Sequence, residues 1–211
     1  MARRKDHSRG ELKDLILDAA WEIVGKEGLA GLSARRIATD IGYAPGTIYN
    51  VFPSMDALVM AVNARTLEQL AAVLNSDACK DSRVTPVQNM KTMAQLYMRF
   101  ASEYRPYWLM LFTFSLPDGQ DVDGWYQEMI DNLFNPLQAL LEQAFPGKEH
   151  EVRRGFAARI LWSSVHGICM LQETGKFELV GRNAPAEDMA SYLIDTFVAG
   201  MIVQVNAGAK V

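Results

Sequence analysis

The chain has 211 residues, 21 Lys/Arg against 25 Asp/Glu, a net charge of −4 and an apolar content of 49%. That balance excludes a disordered chain and a general polyanion binder, and two distant cysteines without a CxxC signal neither a disulfide framework nor a zinc site. The charge is uneven: residues 1–65 hold nine basic and eight acidic side chains, residues 66–211 hold twelve and seventeen, and the first ten carry Arg3, Arg4, Lys5 and Arg9 against Asp6 alone. An anionic partner is therefore expected at the N-terminal end, although the tail by itself reads equally as a solubilising terminus.

No apolar run approaches the roughly 20 residues that span a bilayer. The basic N-terminus is not followed by an apolar segment of the kind that makes a secretory signal. A cytoplasmic protein with no membrane contact is the expectation.

The elements read as helix from end to end. Leu12, Leu15, Ile16, Ala19, Ala20 and Ile23 recur at helical spacing. Gly28 and Gly31 mark the stop. Ser33 suits an N-cap for the short amphipathic helix ARRIATDIG, with Ile37, Ala38 and Ile41 on one side. Gly42 supplies a left-handed stop, and Pro45 fits the first turn of a following helix, where its missing N–H costs nothing. Pro53 and Ser54 open a long helix carrying Leu58, Val62, Leu67, Leu70 and Leu74. The polar stretch NSDACKDSRVTP (75–86) separates two functional halves. A helix over about 86–103 follows, then a break at Arg105-Pro106, the short apolar YWLMLFTF, and the loop-like LPDGQDVDG (116–124). Further helices are expected over about 125–145, 149–174 and 186–207. The link GKFELVGRNAP is the one place for a strand pair, at KFELV. The fold class is all-α: a three-helix helix-turn-helix domain over residues 1–56 and a helical bundle over 57–211.

The turn Gly42-Tyr43-Ala44 between two short helices has the form of a helix-turn-helix, whose second helix enters the DNA major groove. Its reader would be about 45–50. Gly46 permits close backbone approach. Thr47 offers a hydroxyl and a methyl, Tyr49 a phenol for a phosphate oxygen, and Asn50 an amide for phosphate or adenine. Ser33, Arg35 and Arg36 open the supporting helix where it meets the sugar–phosphate backbone. Phe52, at helical spacing from Ile48, reads as a core clamp.

The run LSARRIATDIGYAPGTIYNVFPSMDALVMAV, Leu32 to Val62, resembles the DNA-binding region of the TetR family of transcriptional regulators. The family pattern is carried by Ile37-Ala38, Gly42, Gly46-Thr47-Ile48-Tyr49, Phe52 and Leu58. The resemblance implies a DNA-binding domain joined by a fourth helix to a variable ligand-binding and dimerising domain. Such proteins usually repress, and leave DNA when a small molecule binds. Met55 stands where members often carry a lysine, and Ala44-Pro45 where a polar turn residue is common. Fewer donors then remain for base reading, so specificity would lean on Thr47, Arg36, DNA shape and the tail, with Arg4 and Lys5 in the minor groove. The set of candidate DNA contacts is thus Arg4, Lys5, Ser33, Arg35, Arg36, Ala44, Pro45, Gly46, Thr47, Tyr49 and Asn50. WSSVHG, Trp162 to Gly167, is similar to the Trp-x-x-x-His-Gly signature of one subclass of TetR C-terminal domains.

A ligand site would be an apolar cavity between helices. Its candidates are Met93, Tyr97, Phe100, Trp108, Phe112, Trp125, Met129, Trp162, His166 and Met170; the competing reading of each is ordinary core packing. Eleven methionines suit a surface that repacks around an apolar or aromatic effector. Ser163, Gly167, Leu193, Phe197, Gly200 and Met201, small and apolar on the last two long helices, are the candidates for a homodimer interface. No cofactor or metal is expected. An enzyme is disfavoured: Ser163, Ser164 and His166 lie too close on one helix to face each other as nucleophile and base, and no GxSxG, P-loop, HExxH or GxGxxG occurs. A second alternative is a small-molecule-binding protein of the same fold that has lost specific DNA binding.

Overall fold

The computed structural model describes residues 7–116, 123–180 and 184–206, and the regular structure of these residues is all helical, as expected. They form two compact units, Met1–Leu67 with Tyr104–Asp123, and Glu68–Glu103 with Gly124–Val211. By contacts, the two units divide inside the fourth helix, and the short sixth helix falls with the N-terminal ones.

Unit 1 contains α1 (Arg9–Glu27), α2 (Ala34–Ile41), α3 (Pro45–Val51), most of α4 (Met55–Leu74) and α6 (Arg105–Thr113). Helix α1 starts on a reciprocal cap: Ser8 Oγ accepts from the Glu11 N–H (3.3 Å), and Glu11 Oε2 accepts from the Ser8 N–H (2.8 Å). These bonds hold the Glu11 carboxyl below its usual pKa. Ser33 Oγ caps α2 by accepting from the Arg36 N–H, and Gly42, at φ +76°, ends it in the left-handed conformation. Pro45 takes the first turn of α3. The core is built from Ile16, Ala20, Ile23 and Val24 of α1, Ile37 and Ala38 of α2, Ile48 of α3, Phe52, and Leu58, Val59 and Val62 of α4, closed by Met110 of α6.

The place of α6 has specific contacts. The Tyr107 ring stacks on Trp21 (3.9 Å between centroids), and its hydroxyl donates to the Trp21 carbonyl (3.0 Å). The Arg65 guanidinium lies 4.7 Å from the Trp21 ring and is held by Asp18 at 2.7 Å. One cluster thus joins α1, α4 and α6.

Unit 2 contains the end of α4, α5 (Pro86–Glu103), α7 (Gly124–Ala144), α8 (Glu151–Glu173), α9 (Phe177–Val180) and α10 (Ala186–Asn206). Both α7 and α10 pack on α5 and α8. Lys91 of α5 bonds Asp195 of α10 at 2.6 Å. Buried Arg154 donates to the Phe145 and Gly147 carbonyls (2.9 and 2.6 Å), tying the end of α7 to α8. The KFELV segment, where a strand pair was conceivable, forms the short α9 instead. Most of the 116–124 loop lies outside the described residues. The sequence shows no unbroken apolar run of spanning length, yet Met55–Leu74 and Ala186–Val205, 20 residues each, match a membrane span by length and average composition alone. Core helices of globular proteins pass the same test, and half of the α4 stretch is buried in the fold.

Candidate functional site

The orientation of α3 follows from its two apolar residues. Ile48 and Phe52, four apart, are both buried in unit 1, so the intervening Tyr49 and Asn50 must face outward. Tyr49 is 51% exposed. Asn50, Gly46, Pro45 and Ala44 are exposed too, and Thr47 is half-buried. A Cβ at Gly46 would meet nothing within 4 Å, so the backbone there is open to close approach. Across the turn, Ser33, Arg35 and Arg36 are exposed at the start of α2. Unit 1 therefore gathers nine of the expected contacts on two adjoining helices and their turn. Arg4 and Lys5 lie outside the described residues.

Arg36 is engaged within the unit. Its Nε bonds Asp40 Oδ2 at 3.1 Å, and its Nη2 lies 3.2 Å from Glu27 Oε1. The bond to Asp40 chiefly raises its pKa, so the charge is secure, but a phosphate must compete with two carboxylates for it. One contact here has no local sequence signal: His7 Nδ1 and the Tyr43 hydroxyl are 2.7 Å apart, which joins the residue after the basic tail to the turn between α2 and α3.

Unit 2 holds a cavity of about 50 Å³. Its walls are Leu74 of α4, Met90, Met93, Ala94 and Tyr97 of α5, Leu133, Phe134 and Leu137 of α7, Leu161, Trp162 and Val165 of α8, and Ile194 of α10. Of the ten expected ligand residues, Met93, Tyr97 and Trp162 line it. His166 stands behind them, with Nδ1 2.8 Å from the Tyr97 hydroxyl and its ring stacked on Trp162 (5.0 Å, 15°). Burial lowers the His166 pKa, favouring the neutral ring. The remaining six are elsewhere. Phe100 is buried but off the cavity wall, Met129 and Met170 are half-buried, and Trp125 is exposed against Tyr126. Trp108 and Phe112 sit on α6 in unit 1, packed edge to face at 5.1 Å. Leu74, Met90, Phe134 and Val165 were not anticipated, because an aliphatic wall residue looks like any other core residue in sequence.

Helices α8 and α10 also carry apolar side chains on their outer faces. Val152, Phe156 and Ile160 recur every four residues along α8, in line with exposed Ser163 and Gly167. Met189, Tyr192 and Val203 are exposed along α10, with Gly200 on the same face and Leu193 and Phe197 half-buried. Met201 points inward and is buried. A groove between these helices is lined by Phe156, Ile160, Phe197 and Gly200 among others.

Among the described residues the structure is all helical, with an exposed short helix after a tight turn in one unit and an apolar cavity in the other, an arrangement that suits a DNA-binding regulator. The comparisons agree: residues 16–62 match the model for bacterial regulatory proteins of the tetR family, and residues 90–197 the tetracyclin repressor-like C-terminal domain. The chain belongs to the TetR family of transcriptional regulators. An uncharacterized HTH-type transcriptional regulator of Mycobacterium tuberculosis, Rv0681, is 27% identical over 184 residues, covering 84% of this chain and 77% of that protein. A protein of unknown function from Rhodococcus sp. RHA1 superposes with a TM-score of 0.72 at 21% identity, covering 94% of this chain and 98% of the other. The TetR family regulator PfmR from Thermus thermophilus gives 0.57 at 18% identity, covering 87% and 97%. At these identities the solved structures speak for the fold.

Proposed function

We propose that this regulator is a cytoplasmic repressor that binds a palindromic operator as a homodimer and is released by an apolar or aromatic small molecule. The observation that carries the reading is the span of α4. Leu58, Val59 and Val62 sit in the core that holds the reader, and Leu74, on the same continuous helix, forms part of the cavity wall. An effector that repacks the wall around Leu74 displaces one end of a helix whose other end carries α3. Such an effector binds the released state more tightly than the DNA-bound one, and couplings of this kind are commonly about 1–3 kcal/mol.

DNA recognition is assigned to Ser33, Arg35, Arg36, Thr47, Tyr49 and Asn50, with Ala44, Pro45 and Gly46 admitting the backbone and Arg4 and Lys5 reaching the minor groove. On this assignment residues 1–56 contact DNA and 57–211 bind effector and partner. The homodimer reading is supported by the outward apolar stripes of α8 and α10, since one short reader helix is too little contact for specific binding and two half-sites about 34–36 Å apart are the usual solution. The test is selection from random duplex DNA by the purified protein, followed by sequencing and a salt titration. Recovery of a palindrome, bound with steep salt dependence, supports the reading. Recovery of nothing above background at low salt, with folded protein, favours the alternative of an effector-binding protein that has lost specific DNA binding, to which Met55, Ala44-Pro45 and the carboxylate-bound Arg36 already lend some weight.

A further inference from the structure

We infer that the effector is an uncharged aromatic molecule bearing one hydroxyl or carbonyl group, and that Tyr97 is the residue that selects for this group. The inference rests on the effector-cavity reading above. Among the described residues, no acidic or basic side chain lines the cavity, and Tyr97 is the one wall residue with a polar side chain apart from the indole N–H of Trp162. A carboxylate placed there loses its hydration for at most the Tyr97 hydroxyl and the Trp162 indole N–H, and an ammonium for aromatic faces and the Tyr97 oxygen, whereas a neutral molecule loses little. The wall is also rich in aromatic and pliable groups. Phe134 meets Trp162 edge to face at 5.7 Å, and Met90 and Met93 are unbranched side chains that can move aside. Movement is required, because about 50 Å³ does not admit a ring system.

The Tyr97–His166 pair makes the polar handle versatile. Either member of this pair can donate, since the phenol carries a proton and the neutral imidazole has two tautomers, so a ligand hydroxyl or carbonyl exchanges into an existing hydrogen bond instead of filling an empty one. The His166 ring stacks on Trp162, and burial favours its neutral form.

The test uses the full chain and five naphthalene probes of closely similar size: 2-methylnaphthalene, 2-naphthylmethanol, 2-acetonaphthone, 2-naphthoate and the 2-naphthylmethylammonium ion. Binding is followed by tryptophan fluorescence and calorimetry. The alcohol and the ketone are each expected to bind about tenfold more tightly than the hydrocarbon and to outcompete both ions by at least that factor. In Tyr97→Phe both preferences over the hydrocarbon collapse, while hydrocarbon affinity is retained and reports an intact cavity. Equal or tighter binding of either ion overturns the charge assignment. An undiminished preference in Tyr97→Phe overturns the role of Tyr97. If no probe binds the folded wild type, or if binding survives filling of the cavity by Ala94→Phe, the effector-cavity reading itself fails and takes this inference with it.

Discussion

Tyr49 shows how two buried neighbours set the chemistry of an exposed residue. Ile48 and Phe52 fix the rotation of α3, and the phenol is left in solvent on the face proposed to meet DNA. A hydroxyl in that position suits a phosphate, which is common to all sequences. Tyr49→Phe is expected to weaken binding about three- to tenfold on specific and random duplexes alike, in line with the loss of one hydrogen bond. A shift in the preferred sequence in a repeated selection would mean that the phenol reads a base. Arg36 raises the opposite question, since its charge is already shared between Asp40 and Glu27. Asp40→Asn removes one competitor. If Arg36 reaches phosphate, binding at low salt strengthens and the slope of log K against log salt steepens by about one; an unchanged slope shows that it remains an intramolecular clasp. For His166 the direction of linkage follows from its burial. Its folded pKa lies below the ordinary value of 6.5, so the folded state takes up its proton less readily than the unfolded chain. Stability is undiminished above about 6.5 and falls as pH drops from there toward the folded pKa. The thermal midpoint should decline more gently over that window in His166→Phe than in the wild type, and identical slopes would place the acid sensitivity elsewhere.

At the scale of elements, two glycines four residues apart carry different burdens. Gly42 ends α2 at φ +76° with nothing within 4 Å of an added Cβ, so Gly42→Ala meets strain but no clash. A loss of about 1 kcal/mol in chemical denaturation is expected. Gly46 is helical and equally uncrowded. Gly46→Ala should hold or raise stability by up to about 1 kcal/mol, and a drop in DNA affinity without a drop in stability would mark it as a point of close backbone approach. This contrast also explains what was legible in the sequence. Ser33, Gly42 and Pro45 act within a few residues of themselves, so α2, the turn and α3 could be read directly. The position of α6 could not. Trp108 and Phe112 look like pocket aromatics, yet Tyr107 and Met110 seat that helix against α1, more than eighty residues away in the chain, through the stack on Trp21. Likewise the apolar residues of α8 fall on both of its faces, and periodicity alone does not tell a buried stripe from one awaiting a partner.

At the scale of the whole molecule, those outward stripes are the surface that the proposed dimer would bury. Phe156, Tyr192 and Val203 are 56%, 74% and 67% exposed and lie on the same pair of helices as Ile160, which is more apolar surface than scattered solvent-facing residues account for. Gly167 and Gly200 have nothing within 4 Å of an added Cβ, which leaves room for another helix to approach closely. If the two copies pair through this face, a single buried charge without a partner should separate them. Ile160→Glu and Val203→Glu are expected to sediment as folded monomers at concentrations where the wild type is a dimer. Both should lose the operator preference while keeping weak, salt-sensitive binding to any duplex, because each monomer retains one reader. Leu179→Glu is the control: Leu179 is 81% exposed on α9, which contributes no residue to the proposed interface, and its substitution should leave both assembly and operator binding unchanged. Dissociation by the control as well as by the interface variants would point to a general loss of stability. A wild type that is monomeric while it selects a palindrome would place dimer formation on the DNA itself, with the two readers brought together by adjacent half-sites and not by α8 and α10.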